Sequence, residues 1–474
     1  MFSRRGTLAV VCLATAMLML DIAVVNTALP NIASSLDAGI SGLQWVVDAY
    51  TLALAAVVLT SGSIADRFGR RRIFASGLVL FTGASVWCGV AGSIVTLDAA
   101  RAVQGVGGAI LFATSLALLA EAFPSARERT GALAVYGATI GASFAVGPAV
   151  GGALTSGLGW RWVFYVNIPI GVASIAATYR WVRESRDPNA RRVDWAGQAV
   201  LIGGLFLLVL ALLRGNEDGW GSFPIVAELS GAVALLAAFL AIEARVKQPM
   251  LPLGLFRIKE FSGAQVAAFA ISASYFSIFL YTTLYLQQIL GLSPIESGLV
   301  YLPATVLIFF VSAASAKLLE KVSPGALIAV GLALVAGGLG LGLLATATSS
   351  WAMLFPSLLV GGAGTGLFNP AVSAVALGSA PQEQSGLAAG VNDTFRQAGI
   401  AVGVALYGAL IPGAVALDHG SAEVFVNGMH KALIVGAILA AIGAVASARL
   451  IAVRRAQATV EHLPSRQPVL EAAA

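Results

Sequence analysis

Asp21, Asp48, Arg101, Asp393 and Arg396 stand in stretches of sequence that are otherwise almost wholly apolar. Ionisable groups in such surroundings are costly, and they persist where they bind an ion, a proton, a ligand or one another. A carboxylate between apolar walls loses hydration, which disfavours its charged form, and a neighbouring guanidinium favours that form again. Relative movement of an acid and an arginine is therefore a way to load and release a proton. Asp21 is the first candidate for this role. Asp48, in Gln44-Trp45-Val46-Val47-Asp48-Ala49-Tyr50, is the second, with the alternative that it reaches interfacial water and anchors its helix. Arg101 stands about a turn after Asp98, which suits a helix-start residue at the surface. Rise per residue puts Asp21, Asp48, Asp98 and Arg101 at comparable depth, so these four can share one polar cluster. Asn392, Asp393 and Arg396 form a second polar group; Asp393 and Arg396 are spaced to share a helix face, as a structural ion pair or as part of a site.

The elements that position these groups follow from composition. Of 474 residues, 58% are hydrophobic and 11% charged, and the mean hydropathy is +0.87. That leaves too little polar surface to cover a soluble body of this size, so lipid must cover it. A helix needs about 20 mostly apolar residues to cross the hydrocarbon, and backbone groups there must be bonded within their own segment. Apolar runs broken by charge, Pro or Gly give fourteen predicted spans: 8–30, 43–65, 73–91, 97–121, 131–155, 163–182, 195–214, 224–245, 262–290, 297–318, 324–347, 351–378, 385–410 and 430–453. The opening Met1-Phe2-Ser3-Arg4-Arg5 followed by an apolar run resembles a secretion signal. Its length, Asp21 and the lack of a small-x-small cleavage site favour a retained first helix.

Lysine and arginine supply a check, because they concentrate in cytoplasmic loops. With the N-terminus inside, the outer side keeps only Arg161, Arg214 and Lys431, and Arg101 and Arg396 lie within spans. The rest of the 28 basic residues fall inside. One missed or invented helix would invert every later loop. Both termini are thus expected in the cytoplasm, in a multi-pass protein of the cytoplasmic membrane. The net charge of +5 is spread over short loops and makes no nucleic-acid face. Cys12 and Cys88 lie inside apolar runs, and His419, His430 and His462 fall outside spans or at their ends, so no metal, cofactor or catalytic set is expected.

The expected organisation is an all-α membrane protein: residues 1–183 as a six-helix bundle, 184–260 as a basic linker with two inserted spans, 261–455 as a second six-helix bundle, and 456–474 as a tail. A faint internal echo supports paired bundles. Gly105-Val106-Gly107-Gly108-Ala109, with Pro124 and Gly131 downstream, resembles Gly361-Gly362-Ala363-Gly364-Thr365-Gly366, with Pro381 and Gly386 downstream. Related halves with a site between them are a common transporter plan.

Between the second and third spans runs Gly62-Ser63-Ile64-Ala65-Asp66-Arg67-Phe68-Gly69-Arg70-Arg71-Arg72. The glycines permit a tight turn, and Asp66 sits at a helix C-terminus, where the dipole disfavours an anion. This loop resembles the G-x-x-x-D-R-x-G-R-R signature of the major facilitator superfamily. Arg101-Ala102-Val103-Gln104-Gly105-Val106-Gly107 is similar to that family's R-x-x-Q-G-x-G motif. Gly141, with Gly147-Pro148-Ala149-Val150-Gly151-Gly152, resembles the G-P-x-x-G-G motif of its proton-driven antiporters. By physics alone the latter is a kinked helix with a side-chain-free packing face. Leu20 to Pro30 and Trp160 to Gly171 are similar to the fourteen-helix drug:proton antiporter group.

The resemblance implies a major facilitator fold and a gating role for Gly62, Asp66, Arg67, Gly69, Arg70 and Arg71; in related transporters the arginine corresponding to Arg101 is associated with proton coupling, for which Asp21 and Asp48 are the candidate carboxylates. It implies efflux of an amphipathic small molecule in exchange for protons, by a chain that works as a monomer in the bilayer. Asn26 and the aromatic residues Tyr275, Phe279 and Tyr281 are candidates to line a substrate cavity, with lipid contact and helix packing as the alternative for the aromatics. An importer of the same fold is the nearest rival. A membrane-embedded lipid-processing enzyme would need clustered His, Asp or Glu at a membrane face, and the sequence offers none.

Overall fold

In the computed structural model, residues 2–187, 193–380, 384–411 and 422–451 are described. Part of the expected basic linker (188–192), Pro381, His419, His462 and the expected tail lie outside these residues.

The chain forms fourteen long helices among the described residues: α1 (Arg4–Leu36), α2 (Ile40–Phe68), α3 (Arg70–Gly89), α4 (Ile94–Ala122), α5 (Ala126–Leu158), α6 (Trp162–Trp181), α7 (Trp195–Asp218), α8 (Phe223–Glu243), α9 (Lys259–Ile289), α10 (Pro294–Leu318), α11 (Pro324–Leu344), α12 (Trp351–Gly378), α13 (Ser385–Leu410) and α14 (Ala422–Leu450). Thirteen are long and apolar enough to cross a membrane. The exception is α13, whose Asn392 to Gln397 stretch carries the polar residues described below. Serines punctuate the chain as helix caps: the Ser3, Ser93, Ser125, Ser293 and Ser323 hydroxyls each accept a first-turn backbone N–H. At Ser293 a reciprocal bond from Glu296 completes a capping box, which satisfies two otherwise orphan donors.

Three helices depart from the predicted spans. α14 begins at Ala422, where the apolar run had suggested His430. Glu423 and Asn427 read as loop residues, yet helical hydrogen bonds continue beyond the hydrocarbon. α1, with 33 residues, is about 50 Å long and likewise outruns the ~30 Å core. Pro30 lies inside it. α9 is not one regular helix: π-helical stretches at Ser272–Phe276 and Tyr285–Ile289 flank the α-helical Ile278–Leu284.

α1 to α6 pack on one another, as do α9 to α14. Among the described residues the main helix pairs between these halves are α5 with α10 and α2 with α13, and α1 also meets α9. α7 and α8 pair with each other, and α7 lies against both α2 and α13. Gln198 of α7 donates to the Ala56 carbonyl (2.8 Å) and accepts from Thr60, both on α2. Asn216, near the other end of α7, donates to the Ala409 carbonyl of α13 (2.5 Å). The inserted helix is thus tied to one half at one end and to the other half at the other.

Candidate functional site

The first half holds a buried ion pair. Asp21 on α1 and Arg101 on α4 meet at 2.6 Å, with side chains 0% and 3% exposed. Gln104, one turn after Arg101, donates to the Asp21 carboxylate at 2.9 Å, and Asn167 of α6 donates to it at 2.7 Å. The remaining capacity is taken up too: Arg101 Nη1 reaches Gln104 Oε1 (2.6 Å), Arg101 Nε reaches the Val46 carbonyl (3.0 Å), and Gln104 also donates to Ser85 (2.9 Å). The guanidinium lies 4.2 Å from the Tyr50 ring centre, a distance at which cation and π face attract. Asp21 therefore has three donors, one of them fixed in charge.

Asp48 is the opposite case. It is fully buried on α2, and neither carboxylate oxygen has a hydrogen-bond partner. The expected four-residue cluster is thus divided: Asp21 and Arg101 come together, Asp48 stays apart, and Asp98 joins neither. An ionised, dehydrated carboxylate without donors is costly, because nothing replaces the water it loses. One turn away, Gln44 donates across to Tyr281 of α9 (2.6 Å), and the Tyr281 hydroxyl donates to the Val404 carbonyl of α13 (2.5 Å). Gly408 of α13 makes room for this crossing, because a Cβ there would meet Gln44 Cδ at 2.6 Å and the Tyr281 hydroxyl at 2.9 Å.

A third polar group sits on α13. Asp393, with Gln397 a turn further on, has one carboxylate oxygen buried without a partner. Its spacing from Arg396 suits an ion pair, but the arginine turns instead to Asn369 of α12 (Nη1 to Oδ1, 3.5 Å) and to the Phe276 ring (5.8 Å from its centre). Phe276 meets Phe144 of α5 edge to face at 5.7 Å, which places Arg396 at the seam between the halves. Asn392 donates to Gln265 within the second half (3.0 Å).

The glycine motif of α5 is wedged between two partners. A Cβ on Gly147 would strike Ala23 of α1, and one on Gly151 would strike Thr27 and come within 2.7 Å of the Val24 backbone. Gly152 and Pro148 face α10 instead, at Pro294, Ile295 and Gly298, while a Cβ added to Gly141 would come 3.5 Å from Phe309 of the same helix. Further bonds join α5 to α10: Ile295 N–H to Ser156 (3.1 Å) and Thr305 to the Ala145 carbonyl (2.7 Å). Gln287 also donates to the Thr27 carbonyl (2.9 Å). These cross-half bonds occupy the end of the bundle opposite the Arg70–Arg72 loop and reach inward as far as Thr394 to the Ala55 carbonyl (3.3 Å).

The loop between α2 and α3 is fixed by its own charges. Asp66 pairs with Arg70 at 2.8 Å, Arg70 reaches Glu121, and Glu184 accepts from Arg71 N–H (3.0 Å). Gly69 has φ 113°, a left-handed conformation that a side chain strains. Arg67 lies over Phe68.

The four candidate cavity residues do not converge. Tyr275 and Phe279 line a small apolar cavity inside the second half, with Tyr301, Leu354, Leu358 and Met429. Tyr281 lies at the cross-half contact instead, and Asn26 bonds the Ile22 carbonyl of its own helix (3.0 Å).

Comparison with known proteins decides the family. The Major Facilitator Superfamily matches residues 11–404. The chain belongs to this superfamily. It is similar to the multidrug resistance protein Stp of Mycobacterium tuberculosis (35% identity; 83% of this chain, 73% of that protein). It is also similar to the puromycin resistance protein of Streptomyces alboniger (38%; 87% and 84%) and the tetracenomycin C resistance and export protein of Streptomyces glaucescens (32%; 85% and 75%). Among solved structures it shares its fold with the human organic anion transporter MFSD10 (TM-score 0.63, 16% identity, 94% and 100% coverage). The peptide transporter POT is a second such neighbour (TM-score 0.65, 14% identity, 94% and 95% coverage). The chain is a multi-pass membrane transporter, not an enzyme.

Within this facilitator, sequence reasoning missed the partners of Asp21. Gln104 and Asn167 lie in the segments that carry the family likeness, and Gln104 is three residues from Arg101, a spacing that puts both on one face. Ser85 gave no signal. The α5 seam of the facilitator yields a direct prediction. Gly151→Val forces a side chain into the α1 backbone, and overpacking of this kind costs about 1–3 kcal/mol. The purified variant should melt below the parent, whereas Gly157→Val, where a Cβ meets nothing within 4 Å, should not.

Proposed function

We propose that this facilitator exports amphipathic small molecules such as drugs or antibiotics in exchange for protons, by alternating access between its halves. The basic end is cytoplasmic and the protein acts as a monomer in the cytoplasmic membrane. Relatives named for multidrug, puromycin and tetracenomycin C resistance support the substrate class and the direction. The observation that carries proton coupling is Asp48, a buried carboxylate without a partner beside the contact between halves. In this reading Asp48 carries the proton, and Asp21 with Arg101 forms the fixed charge pair that shapes its surroundings. Asp393 and Arg396, on the opposite half, face the substrate.

Cross-half bonds concentrated at the outer end, with Asp66 engaged by its own Arg70, fit a transporter closed outside and open to the cytoplasm. The Asp66 loop gates the inner side when the halves rock. The membrane potential supplies about 2.3 kcal/mol per charge per 100 mV. At ~1.4 kcal/mol per tenfold, one net inward charge sustains a gradient of roughly 50-fold.

The test is a drug-susceptibility panel in an efflux-deficient host, repeated with an uncoupler. Expression should raise resistance to one or more amphipathic compounds, the uncoupler should abolish it, and Asp66→Asn should lose most of it. Resistance that survives the uncoupler overturns proton coupling. Accumulation of the compound in expressing cells overturns export in favour of import.

A further inference from the structure

We propose that Gln44, Tyr281 and Gly408 form an outer gate whose closure requires a proton on Asp48. The proposal deepens the exporter reading above and takes its inside–outside assignment from it. Gln44 and Asp48 are one turn apart on α2, about 6 Å along the axis, so the amide that reaches across to the second half is the next side chain outward from the orphan carboxylate. Tyr281 holds both ends of that crossing, accepting from Gln44 and donating to the Val404 carbonyl. The bridge thus joins α2 of one half to α9 and α13 of the other. Gly408 is the only residue type that leaves the Gln44 amide room to lie there.

Among the described residues nothing charged lies against Asp48 to compensate its ionised form. Arg101 on α4 is committed to Asp21 of α1. Asp393 and Arg396 of α13 lie toward the cytoplasmic side of it, and Arg396 turns to Asn369 and Phe276. Arg214 and Asp218 of α7 pair with each other at the helix end. From α9 and α13 the titratable groups nearest the contact are the phenols Tyr281 and Tyr407, whose hydroxyls donate to the Val404 and Ser274 carbonyls. Closing the Gln44–Tyr281 bridge over a charged Asp48 therefore buries an uncompensated anion, and closing it over a protonated Asp48 does not.

That asymmetry orders the cycle. With the outer side open, water reaches Asp48 and protonates it, and the bridge closes. On the cytoplasmic side, an arriving substrate takes the place of the proton. The ionised carboxylate then destabilises the bridge, and the outer side opens with substrate aboard. The Ile278–Leu284 segment that carries Tyr281 lies between two π-helical stretches, an irregularity frequent at functional sites.

The experiment uses the full chain with Cys12 and Cys88 replaced and cysteines placed at Ser156 and Ile295. These positions touch across the outer end on a different helix pair, so their cross-linking reports outer closure without any substrate. Cross-linking should rise as pH falls in this parent, and Asp48→Asn should make it high and independent of pH. Loss of one buried hydrogen bond shifts an equilibrium about fivefold, so Tyr281→Phe should lower closure by about that factor. Gly408→Ala should do the same or more. Should Gly408→Ala fail to fold, Gln44→Ala carries the same test without a clash. A pH response that persists in Asp48→Asn, or parental cross-linking in Tyr281→Phe and Gln44→Ala, overturns the gate. The outcome is separable from the exporter reading: a chain that confers no resistance but closes in response to Asp48 keeps the gate and loses the export assignment.

Discussion

Arg101→Ala is expected to be the most damaging single substitution in the transporter, lowering stability by about 3–5 kcal/mol, the typical effect of leaving one member of a buried ion pair alone. The estimate rests on what Arg101 holds. It neutralises Asp21 at 2.6 Å, bonds the Val46 carbonyl of α2 and lies against the Tyr50 ring, so it ties α1, α2 and α4 together. Without it the Asp21 carboxylate keeps only two neutral donors, Gln104 and Asn167. If uncompensated charge is the cause, Asp21→Asn added to Arg101→Ala should recover a large part of the loss. Asp21→Asn alone should be damaging, because it strands the guanidinium. Melting temperature and monodispersity of the purified variants in detergent measure this. A double variant no more stable than Arg101→Ala would mean that lost packing, not charge, dominates.

The fold was legible because a bilayer imposes one rule on every span: an apolar run long enough to cross must be a helix. Among the described residues predicted and observed helices agree except at ends such as Ala422, where helical bonding continues into polar sequence. The irregularity of α9 was not legible, since π-turns leave the hydrophobic pattern almost unchanged. Of the charges, sequence identified the residues but not their pairing. Asp21 and Arg101 met as their depths suggested, and that meeting gives Asp21 three donors. Asp48, the weaker candidate by position, is the one left without any. Asp393 and Arg396 had the spacing of a pair, but the arginine found Asn369 and Phe276 on other helices. Partner choice depends on side-chain direction across helices, and one chain's periodicity does not encode it.

Asp48→Asn is the substitution expected to separate transport from binding most cleanly. An asparagine matches the protonated carboxyl in size and neutrality, and Asp48 has no hydrogen bond to lose, so folding and melting temperature should change little. The amide cannot release a proton, however, and exchange requires release each turn. Proton-driven uptake into inside-out vesicles should therefore fall by at least about tenfold, equivalent to ~1.4 kcal/mol or more in the limiting step. Binding should respond differently. In the parent, if exchange runs through Asp48, proton and substrate should compete, so substrate affinity should weaken as pH falls and binding should release protons into a weakly buffered solution. In Asp48→Asn the affinity should be flat across the same pH range, with no proton release. Parental uptake in Asp48→Asn would remove it from the coupling path and leave Asp393, the other carboxylate with a buried, unpartnered oxygen at the seam, to be tested by the same two measurements.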